Sequence, residues 1–326
     1  AVVEAGSWVM ARIDTADPSR TPPRPDIRSM LRPLGPVVVF GASHLPLAFS
    51  VAGGDTASAL AAGNPVIVKA HPAHPGTSEL VATILSAAVE ASGLHRGVFS
   101  LLFDAGHAVG TALVQHPAVE AVGFTGSHRA GRTLMDLAAK RHKPIPVYAE
   151  MGSTNPVFIL PEALAARGEE IAAGLHGSFT LGAGQFCTKP GMVFAKSQRA
   201  QSFAERMRSL TQAGPAFSLL TKGIASMYEK RMSERQSLLT ATGASASDGF
   251  SAKPMLVETT FDHFSSNPDL AEEVFGPTTL LVHYENAADL LKAALVWRLP
   301  VIVRWEEEID EPQEPKSPME ESARAA

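Results

Sequence analysis

Cys187 is the residue of this sequence with the most distinctive chemistry, because it is the only cysteine among 326 residues. It lies in the stretch Gly-Ala-Gly-Gln-Phe-Cys-Thr-Lys-Pro-Gly at 182–191, where glycines and a proline predict a tight loop that approaches a ligand closely. A solitary thiol can form neither an internal disulfide nor, by itself, a zinc–thiolate site. Two interpretations stay open. Cys187 is either a small buried hydrophobe or a nucleophile held on a glycine loop.

Three further charged residues and one glycine-rich stretch stand at predicted strand ends or loops. Lys69 ends an apolar strand and is either solvated or placed beside a nucleotide ribose or phosphate. Glu150 ends another strand, as a surface carboxylate or as a general base. Glu273 precedes Val-Phe-Gly-Pro, where it either binds a ribose hydroxyl or caps a loop. The glycines of residues 123–131 would let backbone N–H groups and a helix N-terminus face a phosphate.

The elements that must position these residues form a repeating series from Pro36 onward. The predicted strands are 37–40, 65–69, 98–103, 118–124, 146–150 and 156–160. The predicted helices between them are 57–62, 77–91, 108–115 and 126–140, the second capped by Thr77 or Ser78. Short apolar strands that alternate with helices indicate a parallel sheet covered on both faces. The predicted fold class is therefore α/β, with a doubly wound, Rossmann-like domain that binds ligands at the carboxyl ends of its strands.

A second α/β segment follows and predicts a second domain. Its predicted helices are 162–179, 201–211 and 287 to about 295, and its predicted strands are 192–195, 254–258 and 279–283. We therefore divide the chain into an extended, oligomerisation-type segment, a nucleotide-binding domain, a catalytic domain and an acidic tail that we expect to be disordered. Their bounds are 1–33, 34–150, 151–295 and 296–326.

Composition excludes several classes of function. Hydrophobic residues make up 45% of the chain and charged residues 19%, which is typical of a soluble globular protein. The net charge of −5 gives no reason to expect affinity for nucleic acid, which would need a basic face, and no apolar run approaches the length of a membrane span. A single cysteine fits the reducing cytoplasm, where we expect this protein. We predict no metal site.

Taken in order, these motifs resemble the aldehyde dehydrogenase superfamily, and within it the ketoglutarate semialdehyde (2,5-dioxopentanoate) dehydrogenases. The residues that carry the resemblance are Val-Ile-Val-Lys at 66–69, Gly-Phe-Thr-Gly-Ser at 123–127, Glu-Met-Gly at 150–152, Gly-Gln-Phe-Cys at 184–187 and Glu-Val-Phe-Gly-Pro at 273–277. The resemblance covers about residues 8–295, and we expect family members to continue on both sides of it. It implies an incomplete form of the aldehyde dehydrogenase fold.

The resemblance implies a role for each motif residue. Cys187 would attack the aldehyde, Glu150 would activate the hydrolytic water, and His44 stands where the family places an asparagine that holds the oxyanion. The implied cofactor-binding residues are Lys69 for the adenine ribose, Gly126, Ser127 and Gly131 for the pyrophosphate region, and Glu273 with Phe275 for the nicotinamide side. Pro72 stands where NAD-specific relatives have a glutamate. The cofactor is therefore expected to be NADP or NAD.

The expected partner is a small aldehyde such as a short oxo-acid semialdehyde, and the family is homo-oligomeric. Two alternatives stay open at this point. One is an inactive remnant that retains a nucleotide-binding fold. The other is a thioesterase or related hydrolase in which Cys187 and His44 form a nucleophile–base pair, a pairing that only the fold could establish.

Overall fold

The computed structural model describes residues 11–245 and 249–296. The chain divides between Gly152 and Ser153 into two compact units. The acidic tail predicted from residue 296 onward lies outside the described residues from 297, as do residues 1–10 of the predicted N-terminal segment. The described part of that segment contains the antiparallel strands β1 (Arg12–Asp14) and β2 (Ile27–Ser29).

The first unit contains a parallel sheet that, within the described residues, has five strands in the order β5-β4-β3-β6-β7. The strands are β3 (Val37–Phe40), β4 (Val66–Lys69), β5 (Phe99–Leu102), β6 (Ala121–Gly126) and β7 (Val147–Met151). The helices between them are α1 (Gly54–Ala61), α2 (Pro75–Ala91), α3 (Ala108–Gln115) and α4 (His128–Ala139).

The central strand β3 shows why this sheet is covered on both faces. Its side chains point alternately to opposite faces, as in any strand. Val37 and Val39 belong to a core that includes Ala82 of α2, whereas Val38 belongs to a second core with Val114 of α3 and Ala138 of α4. All three valines are buried. An unbroken apolar run is therefore what this strand requires.

The second unit contains another sheet, which in the described part of the chain has the order β11-β13-β14-β9-β8 and is parallel except for β11. Its strands are β8 (Pro156–Ile159), β9 (Met192–Lys196), β11 (Leu239–Thr242), β13 (Met255–Thr260) and β14 (Thr278–Tyr284), and a short antiparallel pair is formed by β10 (Phe217–Ser218) and β12 (Ser251–Ala252). The helices are α5 (Pro161–Thr180), α6 (Gln201–Ala213), α7 (Lys222–Glu234), α8 (Phe261–Ser266) and α9 (Ala287–Val296).

The predicted fold class is confirmed, and several details of the prediction differ from the structure. Residues 156–160 do not close the first series, because β8 pairs with β9 in the second sheet. Helix α2 starts at Pro75 rather than Thr77, since proline suits the first turn of a helix, where its missing N–H needs no partner. The prediction lacks helices α7 and α8, strand β11 and the short pair β10 and β12.

None of the helices in the described part of the chain combines the length and the apolar character that a membrane crossing requires.

Candidate active site

The strand order of the first unit creates a crevice at one edge of its sheet. From β3 the chain moves outward through β4 to β5 and then returns to β6, on the other side of β3. Ligands of open α/β sheets bind outside the carboxyl ends of the strands at such a reversal. The segment after β3 contains His44, and the segment after β6 starts with Ser127. Two of the predicted site residues are thus brought to this crevice.

Lys69 is the last residue of β4 and is only 8% exposed. Its Nζ donates a hydrogen bond to the backbone oxygen of Asp104 at 2.8 Å. Burial lowers the pKa of Lys69, and the negative charge of Asp104 partly opposes this shift. The Asp104 carboxylate accepts from the N–H groups of Gly106 at 2.7 Å and Val109 at 2.9 Å, and these bonds lower its pKa. The lysine is therefore held at the carboxyl edge of the sheet.

Helix α4 begins directly after β6. Ser127 caps it, since its Oγ accepts from the backbone N–H of Ala130 at 3.3 Å. Gly131 is buried in the first turn, which contains no acidic residue. A helix N-terminus carries partial positive charge and free N–H groups, both of which suit a phosphate. Together with Lys69 and the sheet reversal, this arrangement fits the pyrophosphate and ribose of a dinucleotide.

A group of histidines adjoins the segment after β3. His74 places Nε2 2.7 Å from the backbone oxygen of Ala42 and Nδ1 3.2 Å from Ser78 Oγ. Burial lowers the pKa of His44. Burial, assisted by the charges of His74, Lys69 and His44, lowers the pKa of His71 to about 4. His71 is therefore neutral at pH 7. Among the described residues, no group of three or more His, Cys, Asp or Glu side chains could hold a metal ion.

Glu150 lies on β7, at the edge of the first sheet, in register with Thr125 of β6. Its side chain is exposed. It therefore stands one strand away from the start of α4, with a carboxylate in contact with solvent.

Cys187 lies in the second unit, on the loop between α5 and β9. The free thiol is partly exposed. Its loop is fixed from two directions. The backbone N–H of Lys189 donates to the oxygen of Phe186 at 3.1 Å and closes a turn over Cys187. Asn155 donates through Nδ2 to the backbone oxygens of Cys187 and Lys189. The position of the sulfur is therefore set by backbone contacts rather than by regular secondary structure.

The segment that contains Glu273 and Phe275 packs against the cysteine loop within the same unit. Gly184 and Gly276 both have positive φ, of 67° and 154°, and a Cβ on Gly184 would overlap the backbone oxygen of Gly276. Glycine is needed where two backbones approach this closely. Burial raises the pKa of Glu273, and the charge of Lys189 opposes that shift. The second unit thus packs the loop of Cys187 against the segment that contains Glu273 and Phe275.

A family comparison covers all of the site residues described above. The profile described as the aldehyde dehydrogenase family matches residues 2–294. The chain belongs to the aldehyde dehydrogenase family. The resemblance that the sequence motifs indicated is thereby confirmed.

Individual relatives are consistent with this assignment. The chain is 50% identical over 305 residues to alpha-ketoglutaric semialdehyde dehydrogenase 2 of Azospirillum brasilense and 42% identical over 297 residues to alpha-ketoglutaric semialdehyde dehydrogenase of Acinetobacter baylyi. Both matches cover 89% of this chain, but 57% and 56% of the relatives. The chain thus spans little more than half the length of these curated relatives.

Solved structures agree on the fold. An NAD-dependent benzaldehyde dehydrogenase from Corynebacterium glutamicum has a TM-score of 0.74 and 21% identity, with 94% of this chain and 65% of that one covered. A 1-pyrroline-5-carboxylate dehydrogenase from Thermus thermophilus has a TM-score of 0.69 and 20% identity, with 85% and 55% covered. At this level of identity the likeness establishes the fold alone.

Sequence reasoning missed two residues that hold the cysteine loop of this aldehyde dehydrogenase chain. Asn155 has a positive φ of 42°, and a signal was available, because asparagine tolerates that conformation better than most residues. Lys189 carried no such signal. A lysine is rarely fully buried unless it is paired, so only the fold reveals that this one is 4% exposed.

Proposed function

We propose that this chain carries the nucleotide-binding and catalytic residues for NAD- or NADP-dependent oxidation of an aldehyde to a carboxylate. The observation that carries the proposal is Cys187, a single, partly exposed thiol on a loop fixed by Asn155, in a chain of the aldehyde dehydrogenase family. We assign residues 34–150 to the nucleotide-binding domain and 151–295 to the catalytic domain. The division of the structure between Gly152 and Ser153 supports that boundary.

In the proposed reaction, the Cys187 thiolate attacks the aldehyde carbon and forms a carbon–sulfur bond, which gives a thiohemiacetal. A bound nicotinamide supplies the acceptor for the hydride that leaves this carbon. The thiohemiacetal thereby becomes a thioester on Cys187. Glu150 then takes a proton from water, the water attacks the thioester carbon, and cleavage of the carbon–sulfur bond releases the carboxylate and the thiol. The covalent intermediate divides one difficult reaction into two easier steps.

The cofactor-binding residues each have a proposed task. Lys69 binds the adenine ribose, while Gly126, Ser127 and Gly131 form the start of α4 that faces the pyrophosphate. Glu273 binds the nicotinamide ribose, with Phe275 beside it. Because Pro72 presents no carboxylate to a 2′-phosphate, the chain is expected to accept NADP as well as NAD.

For the substrate we propose a semialdehyde of a short oxo-acid, such as 2,5-dioxopentanoate. The names of the two curated relatives support this choice. We further propose a cytoplasmic location, supported by the single cysteine, and a homo-oligomer, as expected of the family.

The test is aldehyde-dependent reduction of NAD or NADP by the purified chain, followed by absorbance. Cys187→Ala should abolish turnover, because no other thiol exists in the chain. Glu150→Gln should keep a single rapid burst of reduced cofactor and lose steady-state turnover, since the thioester forms but is not hydrolysed.

Glu90→Gln, which alters an exposed carboxylate on α2, is the control and should behave as the wild type. Cofactor binding without any aldehyde-dependent reduction would contradict the proposed activity.

A further inference from the structure

Lys189 is a buried cation to which the proposed reaction gives no task. It is 4% exposed, and its Nζ donates hydrogen bonds to the backbone oxygens of Val274 and Thr278, both at 2.8 Å. A buried ammonium group is unfavourable unless nearby partners compensate for its lost hydration. Its location two residues from Cys187 therefore calls for a functional explanation.

The contacts of Lys189 join two loops. Its backbone N–H closes the turn over Cys187 by donating to Phe186. Its backbone oxygen accepts from Asn155 Nδ2 at 3.0 Å. Its side chain reaches the segment that directly follows Glu273 and binds that segment near both ends. One residue therefore connects the nucleophile's turn with the segment of the ribose-binding carboxylate.

Two other charged side chains act on the Lys189 ammonium, Glu273 from the segment before β14 and Arg235 from the end of α7. Together with Lys189, both line a cavity of about 20 Å³, which is large enough for a water molecule and too small for an organic ligand. Glu272 also lines this cavity, but its carboxylate pairs with Arg231. The guanidinium of Arg235 is engaged by the backbone oxygens of residues 269, 270 and 272.

The charges of Lys189 and Glu273 each affect the pKa of the other residue. Burial lowers the pKa of Lys189 to about 7, Glu273 opposes that shift and Arg235 adds to it. Burial also raises the pKa of Glu273, which Lys189 opposes. Each group therefore favours the charged form of the other, as expected for opposite charges at short range in a poorly hydrated site.

We propose that Lys189 is a positioning residue for the proposed reaction: its ammonium group joins the Cys187 turn to the Glu273 segment and supplies positive charge to the cavity that it shares with Glu273. This inference rests on the proposed function, in which Glu273 binds the nicotinamide ribose. Lys189 acts through these two residues and touches neither substrate nor cofactor itself.

The first test needs neither cofactor nor aldehyde. Iodoacetamide alkylates Cys187 alone, since the chain has no other cysteine. In Lys189→Met, which keeps the length of the side chain and removes its donors, the alkylation rate at pH 7 should rise roughly threefold or more, because the turn loses a tether and opens more often. Lys222→Met, at an exposed position on α7, is the matched control and should leave the rate unchanged.

The second test measures the dissociation constant of NAD or NADP as a function of pH. Without the cation, the pKa of Glu273 rises further, so Lys189→Met should weaken cofactor binding severalfold at the lower end of the pH range and approach the wild-type affinity as the pH rises. Lys189→Arg keeps a cation that does not titrate and should remove the wild-type pH dependence near 7. A group that only fills space would not produce this pattern.

The experiments distinguish failure of this inference from failure of the proposed function. Unchanged alkylation in a folded Lys189→Met variant, together with an unchanged pH profile, would overturn the inference. If Lys189→Met does not fold, a Lys189→Arg profile that titrates like the wild type near pH 7 would overturn it instead. Wild-type chain that oxidises no aldehyde but shows Lys189-dependent alkylation would refute the proposed function and leave the link between the two loops intact.

Discussion

At the scale of single residues, His44 stands where the sequence resemblance implies an asparagine. It follows β3, and burial lowers the pKa of its imidazole, so the ring is neutral at pH 7. We hypothesise that the bulkier ring is a poorer oxyanion donor than the amide that the resemblance implies at this position. His44→Asn should therefore raise kcat, by up to the ~10²–10³ that one such donor contributes.

The measurement is kcat at saturating cofactor and aldehyde. His44→Ala is the control, because it removes the side-chain hydrogen-bond donor at this position and should lower kcat. An unchanged kcat in His44→Asn would show that this residue does not limit the reaction.

Some site residues could be predicted from sequence because their type and position are unusual. A lone cysteine among glycines and a lysine at the end of an apolar strand are visible without a structure. Lys189 could not be predicted, because its burial results from the packing of segments about 85 residues apart in the chain. Local sequence patterns do not carry that information.

At the scale of elements, Glu258 links β13 to its neighbours. Its carboxylate accepts hydrogen bonds from Arg208 of α6, at 2.6 and 2.8 Å, and from Thr240 of β11, and it lies 2.9 Å from Nε2 of His283 on β14. Burial alone would raise the pKa of Glu258, but the bonds from His283, Arg208 and Thr240 outweigh it and lower the pKa to about 2. One ionised side chain therefore links β13 to β11, β14 and α6.

Glu258→Gln should lower the free energy of unfolding by about 2 kcal/mol at pH 7. Because the folded-state pKa lies below the unfolded one, the contribution of this carboxylate is present above about pH 4.5 and is lost as the pH falls towards 2. Urea unfolding at pH 7 and at pH 3 measures this difference, which should shrink at the lower pH. Glu229→Gln, at an exposed position on α7, is the control. Equal losses at both pH values would contradict the assignment.

Elements with strong local signals could be predicted, and weaker ones could not. The strand β3 was predicted because three consecutive valines form it. Helix α7 was missed although its buried residues Ala225, Tyr228 and Met232 follow a helical spacing. Glycine near its start and charged residues along its length obscured that pattern. Strand β11 has only four residues, one of them buried, which leaves little signal.

At the scale of the whole molecule, α2 presents apolar side chains to solvent. Leu80 and Ile84 are 70% and 69% exposed and lie one turn apart. Exposed apolar side chains that adjoin one another promote self-association. Replacing them as Leu80→Glu and Ile84→Lys should reduce concentration-dependent association, while the melting temperature changes little because a Glu–Lys pair at this spacing supports a helix.

Size-exclusion chromatography over a range of protein concentrations checks this expectation. Thr83→Ser, which keeps the hydroxyl that bonds within α2, is a control at a nearby exposed position and should associate as the wild type does. Identical elution of the double variant and the wild type at every concentration would contradict it.

The α/β class and the parallel first sheet could be predicted from the order of strands and helices alone. The sheet to which β8 belongs could not be predicted. The local sequence pattern of this four-residue strand, which lies between the two domains, suits pairing with either sheet. Long-range pairing decides such cases.

The contact between Gly184 and Gly276 has a consequence for how such a chain diverges over generations. A methyl group on Gly184 would overlap the backbone of Gly276 and push the cysteine loop and the Glu273 segment apart, whereas one on Gly276 would overlap the ring of Tyr228 on α7. Charged residues on the surface tolerate exchange, whereas here the absence of a side chain is itself the requirement. We therefore expect random substitution to be tolerated less well at these two glycines than at exposed charged positions, because each glycine must keep a hydrogen atom where other residues have a side chain.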